Sequence, residues 1–335
     1  MSPETGPLLE VRGLVREFEL PGRTFFGPRR FLTAVSDVSF TIRRGEILGL
    51  VGESGSGKTT IGRIVMRLLD PTRGQVLFDG LDLTAMKGRK LRQQRRRFQM
   101  VFQDPYASLN PRMRVGEIVG EPLLIHGLAD SPSWRREKVA RLFDRVGLSS
   151  HDLERYPREF SGGGRQRVGI ARAIACSPDL LVADEPIASL DLSIGAQIIN
   201  LFASLNETER MSLLFISPDL SVVRYLSDRV VVLYRGQAVE SGPTREVFAA
   251  PAHPYTRLLV SQDPAALAEP RNGESGSSGL CSFLPRCPDA LPVCREVAPK
   301  RSEVDGGGRE VVCHLAFGQA SWTPSSPSPS IQGSA

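Results

Sequence analysis

The chain has little that would carry it into or across a membrane. None of its apolar runs approaches the roughly 18 residues of a membrane span. The start, Met1 to Gly13, has neither a basic n-region nor an apolar h-region, so no signal peptide is expected. Aromatic residues make up only 7 %, and no stacking platform or DNA-binding motif accompanies the densest basic run, Lys87 to Arg97. That run therefore reads as a solvated helix face, and nucleic acid is not an expected partner. The five cysteines include no C-x₂-C pair, so the common zinc-ribbon spacing is absent. What remains is an ordinary globular balance, 41 % apolar and 24 % charged, in 335 residues, enough for more than one domain. The net charge of +5 settles nothing alone.

The strongest feature present is Gly52-Glu53-Ser54-Gly55-Ser56-Gly57-Lys58-Thr59, which fits the phosphate-cradling pattern G-x-x-x-x-G-K-[ST]. Ile47 to Val51 before it reads as a buried parallel strand. Thr60 to Leu69 after it carries Ile61, Ile64, Val65 and Leu68 at helical spacing. A loop between strand and helix can turn its backbone N–H groups around phosphate oxygens, aided by the helix dipole. Gly52 to Thr60 are accordingly expected to hold a nucleotide, with Lys58 reaching the β- and γ-phosphates and Thr59 ligating Mg²⁺.

Upstream, residues 8 to 48 read as β-rich, and Phe18 stands there either as an aromatic plate for adenine or as core. Leu20 to Arg30 reads as an insertion. From Pro105 to about Ser161 the pattern is helical; Val139, Leu142, Phe143 and Val146 form one stripe that Gly147 ends. Ser161-Gly162-Gly163 then opens a helix, a second anion site by the same dipole argument. Leu180 to Ala183 is a strand ending in Asp184-Glu185, two carboxylates where open α/β sheets bind ligands. Asp184 suits Mg²⁺, and Glu185 could polarise an attacking water. Residues 263 to 280 read as a linker, and the Ser/Pro-rich end as a disordered tail.

The order phosphate loop, Gln103, Ser161-Gly162-Gly163, Asp184-Glu185, Ser189-Leu190-Asp191 resembles an ABC-transporter ATPase subunit. Phe102 to Pro111, His253-Pro254-Tyr255-Thr256 and the late cysteines resemble, more narrowly, the oligopeptide/dipeptide permease importers. The resemblance covers about residues 8 to 315. It implies an α/β P-loop NTPase of the ABC ATPase fold, with a RecA-like parallel-sheet core, an antiparallel β subdomain, an inserted helical subdomain near 105–165 and a small cysteine-containing extension. The implied division is 1–250, 251–318 and a tail at 319–335. A tandem second cassette or long coiled-coil insert, as in soluble ABC ATPases of translation or repair, is absent.

The resemblance further implies a head-to-tail dimer with a paralogue or with itself. Two transmembrane permease subunits would be driven from the cytoplasmic face, and an extracytoplasmic solute-binding protein served indirectly. Phe18 would stack on adenine, Gln103 sense the γ-phosphate and Mg²⁺, and Glu185 act as catalytic base. Ser161, Gly162 and Gly163 would serve the partner's ATP, and Asp191 would cross the dimer interface. Two residues depart from the family pattern. Pro218 stands where a γ-phosphate-contacting His is usual, and proline supplies neither a side-chain donor nor an N–H. Gly164 stands where Gln is usual, with a smaller loss expected. This chain's own ATP site is thus expected to bind ATP but turn it over slowly, in an asymmetric pair. The alternative is a regulatory subunit that no longer hydrolyses.

Four cysteines, Cys281, Cys287, Cys294 and Cys313, cluster late, and in a cytosolic chain this favours thiolate ligation over disulfides. By resemblance a [4Fe–4S] cluster is preferred, with tetrahedral zinc or plain thiols the alternatives. Cys176 stands alone and reads as core.

Overall fold

The computed structural model describes residues 6–20, 29–261, 280–304, 306 and 308–317. The bodies of the expected 20–30 insertion and 263–280 linker, and the Ser/Pro tail, lie outside the described residues.

Two sheets carry the architecture. The smaller is antiparallel, in the order β2 (Arg30–Ile42), β1 (Leu9–Leu20), β4 (Arg73–Phe78), β5 (Leu81–Asp82). In β1, Leu9 and Val11 point inward by alternation, and a register shift between Val11 and Leu14 brings Leu14 inward as well. The larger sheet has eight strands. Its order is β11 (Arg301–Val304), β12 (Arg309–Val312), β10 (Gln237–Pro243), β9 (Arg229–Tyr234), β3 (Ile47–Val51), β8 (Ser212–Ile216), β7 (Leu180–Asp184), β6 (Phe98–Val101). From β9 to β6 all pairings are parallel.

Continuous apolar strands occur because both faces of this sheet are covered. In β3, Ile47 and Val51 enter one core while Leu48 and Leu50 enter the other. In β7, Leu181 and Ala183 likewise oppose Leu180 and Val182. One core joins the sheet to the antiparallel layer; the other joins it to the helices. There α4 (Val115–Ile125), α5 (Pro132–Arg145) and α6 (Gly162–Ile174) contribute Ile118, Val119, Leu142, Phe143 and Val168. Ser131 caps α5 by accepting from the Trp134 N–H at 3.2 Å, and Gly147 follows its end at φ 71°.

One expectation changes. The helix after the phosphate loop, Lys58–Val65, ends about a turn earlier than its apolar spacing suggests, because Met66 caps it and Arg67 turns left-handed at φ 51°. Leu68 is exposed as a result. Phe102 and Gln103 lie just past β6 rather than within it. The C-terminal strands β11 and β12 add to the main sheet through β10, covering an edge that would otherwise present unpaired backbone groups. The basic run forms the helix Gly88–Arg95, which buries none of its residues, as a solvated face should. No helix among the described residues is long and apolar enough to cross a membrane.

Candidate functional site

The parallel strands bring their carboxyl ends to one edge, and the sequence places its chemistry there. Gly52 to Gly57 leave β3 and enter the helix that begins at Lys58. Gly57 sits at φ 99°, and a Cβ there would lie 2.4 Å from the Ala34 carbonyl oxygen, so glycine alone fits. A Cβ at Gly55 would meet nothing within 4 Å, which leaves that side of the loop open. Lys58 is buried, and its ammonium donates to the carbonyls of Gly52 and Glu53, both at 2.8 Å. Burial pulls its pKa down, while Glu185, Asp184 and Glu53 oppose that shift.

Three neighbouring strand ends complete the edge. Asp184 closes β7, buried, and its Oδ1 accepts from the Thr59 hydroxyl at 3.0 Å. Burial pushes its carboxyl pKa up, with the Thr59 hydrogen bond opposing. Glu185 follows at φ 45°, a left-handed conformation that costs a non-glycine residue about 1–2 kcal/mol. It is held there by its N–H donating to the Ile216 carbonyl at 2.9 Å. Gln103, just past β6, donates from Nε2 to Glu185 Oε2 at 2.9 Å. Pro218 lies two residues beyond Ile216, exposed, between Ser217 and Asp219. The Asp219 N–H donates to the Ser217 hydroxyl at 3.0 Å, and the Asp219 carboxylate caps the helix Leu220–Leu226. The phosphate loop, Asp184, Glu185, Gln103 and Pro218 are thus brought together. A hydroxyl and a carboxylate oxygen at 3.0 Å are hard donors of the type that suits Mg²⁺.

The remaining predicted residues lie elsewhere. Ser161 is the cap of α6, accepting from the Gly164 N–H at 3.2 Å, and Gly162 and Gly163 pack against Leu190 and Ile194. A Cβ at Gly164 would meet the Phe160 ring at 3.0 Å. Asp191 caps α7 (Leu192–Glu209), accepting from the Ile194 N–H at 2.9 Å, which holds its carboxyl below the usual range. Phe18 is half-buried on β1, with the Arg16 guanidinium 4.5 Å over its ring.

The expected iron–sulfur ligation finds no support among the described residues. Cys281, Cys287, Cys294 and Cys313 do line one small cavity, with His253, Asp289 and His314. Yet among the described residues no group of three or more His, Cys, Asp or Glu side chains is arranged to hold a metal. Burial pushes the Cys287 thiol up to about 11 and those of Cys281 and Cys313 upward. Cys176, expected in the core, is half-buried just past α6, its thiol pushed up to about 11 by burial.

Sequence reasoning missed how the phosphate loop is held from the C-terminal side. The Glu53 N–H donates to the Tyr255 hydroxyl at 3.0 Å, and the Arg286 guanidinium grips the Glu53 carboxylate with two bonds of 2.8 and 2.9 Å. The partners stand 202 and 233 residues away in sequence, so no local pattern signals them.

Comparison with known proteins fits this geometry. Residues 35–188 match the family described as "ABC transporter", and residues 239–294 that described as "Oligopeptide/dipeptide transporter, C-terminal region". A "Putative peptide import ATP-binding protein" of Brucella ovis is 46 % identical, over 90 % of this chain and 96 % of that protein. The "Putative oligopeptide transport ATP-binding protein YkfD" of Bacillus subtilis is 44 % identical, over 92 % of this chain and 95 % of that protein. Among solved structures, an ATP-binding cassette dimer in a post-hydrolysis state bound to ADP and Pi aligns with a TM-score of 0.64 at 28 % identity. It covers 71 % of this chain and 99 % of that chain.

Proposed function

This chain belongs to the ATP-binding subunits of ABC transporters, and on that premise we propose that it couples ATP hydrolysis to the import of peptide-type solutes through membrane permease subunits. The observation that carries the reading is the convergence of Lys58, Thr59, Asp184, Glu185 and Gln103 on the carboxyl edge of one parallel sheet.

Residues Gly52 to Thr60 hold the triphosphate: the loop amides and the helix dipole bind its oxygens. Lys58 leaves the Gly52 and Glu53 carbonyls for the β- and γ-phosphates. Thr59 and Asp184 would hold Mg²⁺, which would supply neutralising charge at the phosphates. Glu185 accepts a proton from the attacking water, and Gln103 fixes the Glu185 carboxylate in the direction of that water. Phe18 would stack on adenine with one face of a ring over which the Arg16 guanidinium stands at 4.5 Å.

The signature turn serves a second nucleotide, bound by a partner cassette. Ser161 is exposed and opens a helix of 13 residues. Asp191 is also exposed, and the adjoining Leu192 is 95 % exposed, an apolar side chain suited to burial in a head-to-tail dimer. Pro218 weakens this chain's own site. It lies two residues past Ile216, whose carbonyl accepts the Glu185 N–H, and it has no donor to offer the γ-phosphate, which favours pairing with a paralogue whose site retains one. The same residue supports a second reading, a nucleotide-holding subunit that leaves hydrolysis to its partner.

Two measurements test the main reading. Cells deprived of this chain should lose uptake of a labelled peptide mixture and regain it with the wild-type chain but not with Lys58→Ala. Purified Lys58→Ala should bind ATP at least about tenfold more weakly than wild type, the loss of one charged contact. Peptide uptake that persists without the chain would contradict the transport assignment.

A further inference from the structure

The phosphate loop is held from outside its own strand and helix. Arg286 ends the short turn Leu284–Arg286, which lies between Cys281 and Cys287. That turn is anchored by Phe283, whose buried ring meets Tyr234 at 5.1 Å, Tyr255 at 5.5 Å and His253 at 5.6 Å between centroids. From this anchor the Arg286 side chain, only 5 % exposed, forms a fork onto both carboxylate oxygens of Glu53. Tyr255, from the same aromatic cluster, takes the Glu53 N–H. Glu53 is thereby gripped at backbone and side chain by the cysteine-bearing segment.

Glu53 is a negative charge set in a loop that must accept a polyanion. Left alone it would repel the phosphates, and its carboxylate could swing to compete for the loop's own N–H groups. A bidentate guanidinium prevents both, because it cancels the charge and fixes the carboxylate on Arg286. Lysine could cancel the charge but not fix the plane.

We propose that the C-terminal cysteine-bearing segment is a positioning element of the nucleotide site, acting through Arg286 and Tyr255 on Glu53 to set the affinity of the phosphate loop for ATP. The inference rests on the reading of that loop as the ATP site. Arg286 is a positioning residue, since it acts on Glu53 and not on the reacting atoms. Its consequence is regulatory: whatever rearranges the turn between Cys281 and Cys287 also changes ATP affinity.

The test is equilibrium binding of radiolabelled ATP to the full chain, with steady-state hydrolysis alongside. Arg286→Gln should raise the Kd for ATP about tenfold, and KM in step, while kcat moves much less. Adding Glu53→Gln to Arg286→Gln should recover most of that loss, because the uncompensated charge is then gone. Glu53→Gln alone should bind ATP more tightly than wild type, because one negative charge is removed from a loop that must accept a polyanion. Should Arg286→Gln fail to fold, this last variant carries the test by itself. The proposal is overturned if Arg286→Gln binds ATP as wild type does, if the double variant stays as weak as Arg286→Gln, or if Glu53→Gln alone binds more weakly. A wild-type chain that binds no ATP would instead overturn the parent reading.

Discussion

Gln103 donates from Nε2 to Glu185 Oε2 at 2.9 Å, joining the ends of two adjacent parallel strands through their side chains. The bond aims a carboxylate whose residue sits in a left-handed backbone conformation. Backbone strain of this kind persists where surrounding structure enforces it, and such positions concentrate at functional sites. Glu185→Gln keeps the side-chain shape and removes the proton acceptor. We expect ATP binding to be retained and turnover to fall by about 10²–10⁴-fold, the usual worth of a general base. Filter binding beside steady-state phosphate release checks this; equal loss of both would assign Glu185 to binding.

Gly57→Ala is predicted to damage the loop without touching any charge. Its Cβ would lie 2.4 Å from the Ala34 carbonyl oxygen, at a φ of 99° that side chains avoid. The obstacle is backbone, which cannot rotate aside. We expect thermal unfolding to shift downward by about 2 kcal/mol or more and ATP affinity to drop. An unchanged melting curve would show that the loop relaxes freely.

Acid should weaken the aromatic cluster through His253. Its Nδ1 accepts from the Tyr255 backbone N–H at 3.0 Å, its own backbone N–H donates to buried Glu240, and burial pulls its pKa down to about 4. Protonation would cancel the Nδ1 acceptor. The folded chain resists a proton that the unfolded chain accepts near pH 6.5, so stability is fully present above about pH 6.5 and declines as pH falls toward 4. The loss is about 3 kcal/mol at most from this group. Chemical denaturation at several pH values should show a shallower acid decline in His253→Asn, whose amide oxygen can still accept. Parallel declines would assign the acid sensitivity to other groups.

Much of this was legible in the chain because it was local. The phosphate loop, its strand and its helix are contiguous, and Asp184-Glu185 follow an apolar run whose burial on both faces the composition predicts. The stripe Val139, Leu142 and Phe143 is buried as its spacing requires. Failures came where distant pieces meet. Nothing near Glu53 announces Arg286, and nothing near Gln237 to Pro243 announces that β12 will pair there. The early end of the helix after Lys58 escaped because Leu68 continues the apolar spacing, while a left-handed Arg67 breaks the backbone. The cysteines were read from number and clustering, which bring thiols to one cavity but do not by themselves arrange a ligand set.

The central claim is that this chain's own site holds ATP but hydrolyses it slowly because Pro218 supplies no donor to the γ-phosphate. The direct measurement is the single-turnover rate of ATP hydrolysis by the purified chain, comparing wild type, Pro218→His and Pro218→His combined with Glu185→Gln. The side chain at 218 is exposed, so histidine meets no packing obstacle there. The account predicts a rise of about tenfold or more in Pro218→His, abolished when Glu185→Gln is added. A wild-type rate equal to that of Pro218→His would contradict it.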